Sequence, residues 1–239
     1  MSDDTRYLIV NADDFGQSHG INSGIIKAHE QGILTSASMM VRSPTAGEAA
    51  TYARAHPQLS VGLHADLGEW AFEEGEWVPV YEVVPHENEE VVEAELRRQL
   101  ESFRSLVGRD PTHLDSHQHV HRDPPAFGPF RRLAFELQVP LRHASRVRYR
   151  GDLHGQERTG VQLEGVITVE NMISIIRGLE PGFTELCCHP GEGSDFESTY
   201  REEREAELRV LCDERVRSAL ESEGVLLSSF TEARDLVGW

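Results

Sequence analysis

Tyr7-Leu8-Ile9-Val10-Asn11-Ala12-Asp13-Asp14-Phe15-Gly16 reads as a buried strand that stops on two acids and a glycine. The apolar run has the length of a strand and is too short for an independent helix. Acids at its end have an ordinary reading as a turn or helix cap. They also have a functional one, because the carboxyl ends of strands carry the chemistry of α/β folds. Adjacent residues of a continuing strand face opposite ways. Asp13 and Asp14 therefore reach one site only if the strand breaks there, as Gly16 would allow.

Outward from this stretch, helices and strands alternate. A helix runs from Ser18 to Gln31 with Gly32 as its stop. Leu34–Val41 is a second strand, and Pro44–His56 is an alanine-rich helix ended by Pro57. Leu59-Ser60-Val61-Gly62-Leu63-His64 is a third strand that ends on a histidine. Glu69–Asn88 has no clear period and reads as a lid or binding loop. Its Trp70, Phe72, Trp77 and Tyr81 either stack on a sugar or pack among themselves. Glu89–Val107 is an amphipathic helix, closed by Gly108.

Beyond residue 121 the spacing predicts a helix over Pro125–Gln138 and a short strand Val139-Pro140-Leu141-Arg142. Residues 145–165 read as loop and Val169–Leu179 as helix. Thr184–Gly191 is a strand that ends on His189, Tyr200–Glu223 one long charged helix, Val225–Ser229 a last strand, and Thr231–Arg234 a terminal turn. This alternation, without repeats or linkers, predicts one α/β domain over residues 1–239. The expected form is a distorted, seven-stranded (β/α) barrel with mostly parallel strands. Its mouth would collect Asp13, Asp14, His64, His117, Arg142 and His189.

His113-Leu114-Asp115-Ser116-His117-Gln118-His119-Val120-His121 places four of the chain's 12 histidines and a carboxylate within nine residues. Neutral imidazole is the commonest ligand for transition-type cations, so the run points to a metal. The plain alternative is a surface loop with incidental histidines. As a strand, the run would face all four histidines and Asp115 one way. As a helix, it would pair His113 with His117 and His117 with His121. Either geometry lets two ligands converge, and neither chooses among His113, His117 and His121. One carboxylate, two imidazoles and water would make a catalytic divalent-metal site.

A net charge of -18 argues against nucleic acid or an anionic membrane as partner. No stretch approaches the roughly 20 apolar residues of a membrane span. The acidic start Met1-Ser2-Asp3-Asp4 is unlike a signal peptide. Three cysteines, Cys187, Cys188 and Cys212, make no disulfide framework and suit reduced thiols in a cytoplasmic enzyme.

On these residues the chain resembles the YdjC-like carbohydrate deacetylase family. The resemblance rests on Leu8–Gly16, Gly20-Ile21-Asn22, Gly32-Ile33-Leu34-Thr35-Ser36, Gly62-Leu63-His64, Thr112–His121, His189-Pro190-Gly191 and Ser228–Ala233. It implies a metal-dependent hydrolase that removes acetyl from an N-acetylated sugar of the chitooligosaccharide type. By resemblance, Asp14, His64 and His117 would hold the metal, Asp13 would be the general base and His189 the general acid, with Arg142 orienting Asp13. Asp115, His119 and His121 would support the ligands or, with Trp70, contact substrate. The resemblance leans to magnesium, while zinc, manganese or cobalt would suit the same donors. A homodimer is the expected assembly. One rival is a metal-dependent phosphoesterase or cyclic amidohydrolase; a phosphoesterase would want more basic residues at the mouth. Another is a non-catalytic sugar- or metal-binding protein, against which the Asp13/His189 pair stands.

Overall fold

The computed structural model describes residues 4–193 and 200–237; residues 1–3, most of the acidic start, lie outside the described residues. The first strand, β1 (Arg6–Phe15), leads into α1 (His19–Gln31), where Ser18 Oγ accepts the Ile21 N–H as N-cap. Then come β2 (Ser36–Met39), α2 (Ala46–Ala55), β3 (Ser60–Ala65), β4 (Gly68–Glu73), β5 (Glu76–Glu82) and α3 (Glu89–Val107). Asn88 caps α3 at its start, and Gly108 ends it with a left-handed φ of 78°. Next are β6 (Leu114–Ser116), a 3-10 turn over His117–Arg122, α4 (Pro124–Leu137), β7 (Arg148–Arg150) and α5 (Val169–Arg177). The chain continues with β8 (Gly182–Cys188), α6 (Arg201–Leu211), α7 (Glu214–Glu223), β9 (Val225–Ser228) and α8 (Phe230–Val237).

Seven strands form one parallel sheet in the order β6-β3-β2-β1-β8-β7, with β9 also paired to β1. One edge of β1 pairs β8 over Arg6–Ala12; the other is shared, by β9 along Arg6–Ile9 and by β2 from Asn11 onward. In a flat sheet β6 would lie about 14 Å from β1, three strand spacings away. Instead one guanidinium, Arg142, lies within 2.9 Å of Asp115 on β6, Asp13 on β1 and Glu185 on β8. The sheet is therefore curled into a distorted half-barrel, and a bridge from Leu114 to Leu141 extends it past β6.

The two faces of β1 have different jobs. Leu8, Val10 and Ala12 join Ile21, Ile25, Leu96, Phe103 and Ile176 in the main core between sheet and helices. The opposite face carries Ile9, Asn11 and Asp13, and there the barrel is polar above an apolar floor of Ile9, Val147, Phe183, Phe230 and Ala233. Phe230 on α8 stacks under His113 at 3.9 Å between ring centroids. Only a glycine at position 62 permits this, since a Cβ there would lie 2.5 Å from the His113 ring.

Several elements differ from the sequence reading. The supposed loop over 69–88 is largely the antiparallel hairpin β4–β5, turned by Glu74 and Gly75 with φ of 50° and 93°. That two-residue turn matches the twist of the strands, and Pro79 is tolerated because a two-stranded ribbon has free edges. The expected single helix over 200–223 breaks at Cys212–Asp213, where Asp213 caps α7 by accepting the Arg215 N–H. The histidine run is neither all strand nor all helix. Left-handed Gln118 and His119, with φ of 50° and 56°, end β6 and wind the chain into the 3-10 turn. The strand expected over 139–142 reduces to the single bridge at Leu141, and the 145–165 loop contains β7.

Candidate active site

The expected break beside the two neighbouring acids lies at the second acid, with Gly16 also left-handed at φ 99°. The β1–β2 register shifts between Ala12 and Phe15, and Asp14 takes a left-handed φ of 70°. A non-glycine residue held there costs about 1–3 kcal/mol, a strain typical of functional positions. It turns both carboxylates to the mouth, where both are buried.

His64 at the end of β3 and His117 just after β6 close on Asp14. His64 Nε2 lies 3.5 Å and His117 Nδ1 3.2 Å from Asp14 Oδ1. Neither contact has hydrogen-bond geometry, so Asp14 Oδ1 is a buried oxygen without a hydrogen bond. Its partner Oδ2 accepts from Arg204 Nη2 at 2.5 Å. All three ligand atoms lie within 4.8 Å of one another. Donors that converge without bonding each other are what a cation between them would satisfy, and one carboxylate with two imidazoles suits a divalent ion. Behind His64, Asp115 Oδ1 accepts from Nδ1 at 2.7 Å. A carboxylate in that place fixes the ring so that Nε2 faces the site. His117 Nε2 is 3.7 Å from Glu69 on the hairpin.

Charge fits the same arrangement. Burial works against the charged form of His64, but the Asp13 and Asp115 carboxylates push it up to about 10. Burial likewise opposes ionised Asp14, yet Arg204, His117 and His64 hold it well below the ordinary carboxylate range. A divalent ion would replace protons held on these rings.

Arg142 enters at the seam of the curled sheet and is buried with three carboxylates. It grips Asp13 with two parallel hydrogen bonds of 2.7 Å and donates to Glu185 Oε1 at 2.6 and 2.9 Å. Asp13 also accepts from Asn11 Nδ2 at 3.0 Å and from the Cys187 thiol. Despite its burial, Arg142 and His64 keep Asp13 ionised far below the usual carboxylate range. Burial raises Glu185 to about 7 against the pull of Arg142.

A chain of hydrogen bonds supports this group from below. Asn11 Nδ2 donates to Ser38 Oγ at 2.9 Å, and Ser38 donates to Asp115 Oδ2 at 2.6 Å. The Ser38 hydrogen is thereby committed, so His113 Nε2, at 2.9 Å, must be a donor to Ser38. His113 Nδ1 then accepts from Thr112 Oγ1 at 3.0 Å. The ring is neutral, and burial pushes it down to about 3.

Of the residues singled out by sequence, Asp13, Asp14, His64, His117, Arg142 and His189 converge. His189 Nε2 lies 4.0 Å from Asp13 Oδ2, and burial and His154 push the ring down to about 3. Asp115 and His121 are corrected as substrate contacts. Asp115 is 0% exposed behind His64, and His121 is 1% exposed. His121 is bonded through Nδ1 to Ser116 Oγ and through Nε2 to the Arg142 carbonyl. Both support the site from inside. His119 and Trp70 are partly exposed. His119 bonds Tyr149 Oη at 3.2 Å, and Gln118 ties the hairpin to the 3-10 turn by two 2.9 Å bonds to the Trp70 backbone. Sequence reasoning missed Asn11, Ser38 and Glu185, whose signal was polarity alternating with apolar neighbours in a strand. It also missed Arg204 and Glu207, which nothing distinguishes among the charges of α6.

The model of the YdjC-like protein family matches residues 7–222. The chain belongs to this family. It is 35% identical to a carbohydrate deacetylase of Geobacillus stearothermophilus, over 95% of this chain and 98% of that one. It is 32% identical to a chitooligosaccharide deacetylase of Serratia marcescens, over 95% and 99% of the two chains. A solved structure from Enterococcus faecalis V583, named for cellobiose-phosphate cleavage, superposes with a TM-score of 0.77 at 27% identity, covering 95% of this chain and 98% of that one. No helix among the described residues is long and apolar enough to cross a membrane.

Proposed function

We propose that this YdjC-like chain hydrolyses the acetamide of an N-acetylated sugar or short chitooligosaccharide, releasing acetate and the free amine. The observation that carries the reading is the convergence of Asp14, His64 and His117 on one unbonded buried oxygen, with Asp13 and His189 beside it. The full-length likeness to carbohydrate and chitooligosaccharide deacetylases supports it. Asp14, His64 and His117 are the proposed ligands of a divalent ion. Magnesium is the proposed ion; zinc, manganese and cobalt would also accept two imidazoles and a carboxylate. Such an ion supplies a Lewis acid for the acetyl carbonyl and lowers the pKa of water.

The protein groups do the rest. Asp13, fixed by Arg142, accepts the proton of the attacking water. From Asp13 the proton passes to His189, whose Nε2 faces it at 4.0 Å. His189 then protonates the departing amine. Trp70 and His119, on the partly exposed rim, are the proposed sugar contacts. A homodimer in the cytoplasm is the proposed setting; the three free thiols suit a reducing compartment.

The test is acetate release from N-acetylglucosamine and diacetylchitobiose by EDTA-stripped protein, with magnesium, zinc, manganese or cobalt added back. The expected result is metal-dependent release, lost in Asp13→Asn while metal binding persists. Metal binding without release from either sugar would refute the assignment.

A further inference from the structure

His189 has one nitrogen toward Asp13 and another, Nδ1, buried without a hydrogen bond. The group that Nδ1 faces is Glu207 on α6, with Oε1 at 4.0 Å. Glu207 is 0% exposed, a burial that costs a carboxylate dearly unless hydrogen bonds offset it. It accepts the backbone N–H of His189 and the Tyr200 hydroxyl, both at 2.5 Å. Tyr200 Oη in turn accepts from Gly155 N–H at 2.7 Å. The His154 ring stacks on Tyr200 at 4.3 Å and meets His189 edge-on at 5.0 Å, closing the pocket around the ring. One turn earlier on α6, Arg204 reaches the His189 carbonyl at 3.3 Å and Asp14 Oδ2 at 2.5 Å. A single helix thus braces both Asp14 and His189.

We propose that Glu207 is a positioning residue for His189: it keeps Nε2 turned to Asp13 and balances the imidazolium charge while the ring carries the proton. This rests on the reading of His189 as proton donor. The step conserves protons. Water gives one to Asp13, Asp13 passes it to His189 Nε2, and His189 gives it to the leaving nitrogen as the C–N bond breaks. Glu207 takes no proton in this transfer and acts in its ionised form, which predominates above about pH 7. A nearby carboxylate makes His189 easier to protonate, and this ring needs that help, since burial and His154 leave it neutral. The groups facing His189 are Asp13, Asp14, His154, Arg204 and Glu207. Those facing Glu207 are Tyr200, the His189 N–H and ring, His154, Arg204, Asp13 and Cys188. Burial brings Glu207 up to about 7 against the hydrogen bonds of Tyr200 and His189.

The experiment is the pH profile of kcat for acetate release by metal-loaded enzyme, compared for wild type, Glu207→Gln, Tyr200→Phe and His189→Gln. Glutamine keeps an acceptor for the His189 N–H but carries no charge. In Glu207→Gln, kcat is expected to fall about 10²-fold with KM changed less than threefold, and the rise through about pH 7 should vanish. Tyr200→Phe removes a hydrogen bond that lowers the Glu207 pKa, so the rise should move to higher pH, and this reports on Glu207 even if Glu207→Gln does not fold. A profile unmoved in Tyr200→Phe, or a folded Glu207→Gln with wild-type kcat and rise, would overturn the role of Glu207. If His189→Gln were inactive at the same time, the reading of His189 would stand alone. An active His189→Gln would overturn both.

Discussion

Among the groups of side chains whose ligand atoms lie within 4.8 Å of one another, two draw on the histidine run: Asp14, His64 and His117, and His119, His121 and His143. The first contains a carboxylate with an unbonded oxygen and has Asp115 behind one ring. The second has three imidazoles and no acid. His121 has both nitrogens bonded, His119 bonds Tyr149, and the rings of His121 and His143 stack at 5.8 Å. Burial and the Arg142 charge push His119 to about 2, His121 to about 3 and, with Arg122, His143 to about 4. A dication there would meet positive potential and break hydrogen bonds already made. Each trio holds a buried polar atom without a hydrogen bond, His119 Nδ1 in the second; what sets the first apart is its acid, and the proposed metal site lies there.

The largest expected effect separates the trios outright. Asp14→Ala removes the one anionic group among the proposed ligands, and metal-dependent acetate release should fall at least about 10³-fold with loss of tight metal binding by calorimetry. Retained tight binding would erase the distinction. Asp115→Asn acts one step back, through the orientation of His64, and should weaken metal binding by about 10–100-fold. An unchanged affinity would leave Asp115 with a purely structural role.

The third test uses stability. His113 is neutral when folded, with its pKa lowered to about 3 from an ordinary 6.5. Between those values the unfolded chain binds more protons, so stability must fall as pH drops from about 6.5 towards 3. Urea midpoints at pH 7 and pH 4.5 should show a steep drop in wild type and a shallower one in His113→Gln. Equal slopes would contradict a neutral His113. The smallest effect belongs to the second trio: His143 is exposed, and His143→Ala should leave metal affinity unchanged and stability within about 0.5 kcal/mol.

Much of the frame was legible in the sequence because strands with polar carboxyl ends and helices with period-3.6 faces follow local rules. Glu89–Val107 appears with those bounds, and the six strand-end groups do meet. What local rules could not supply was backbone sign and long-range pairing. The left-handed φ of Asp14, Gln118 and His119 decides where adjacent carboxylates and histidines point, and no composition or period encodes it. Arg204 and Glu207 sit among many acids and arginines of α6 and become special only when the helix is laid against the ends of β1 and β8. The hairpin β4–β5 was hidden because its strands are largely exposed and neither face reads as a continuous apolar stripe.

The most direct measurement is anomalous scattering from crystals soaked in manganese. The account predicts a single strong peak bounded by Asp14 Oδ1, His64 Nε2 and His117 Nδ1, absent in Asp14→Ala. A peak among His119, His121 and His143, or none beside Asp14, would contradict it.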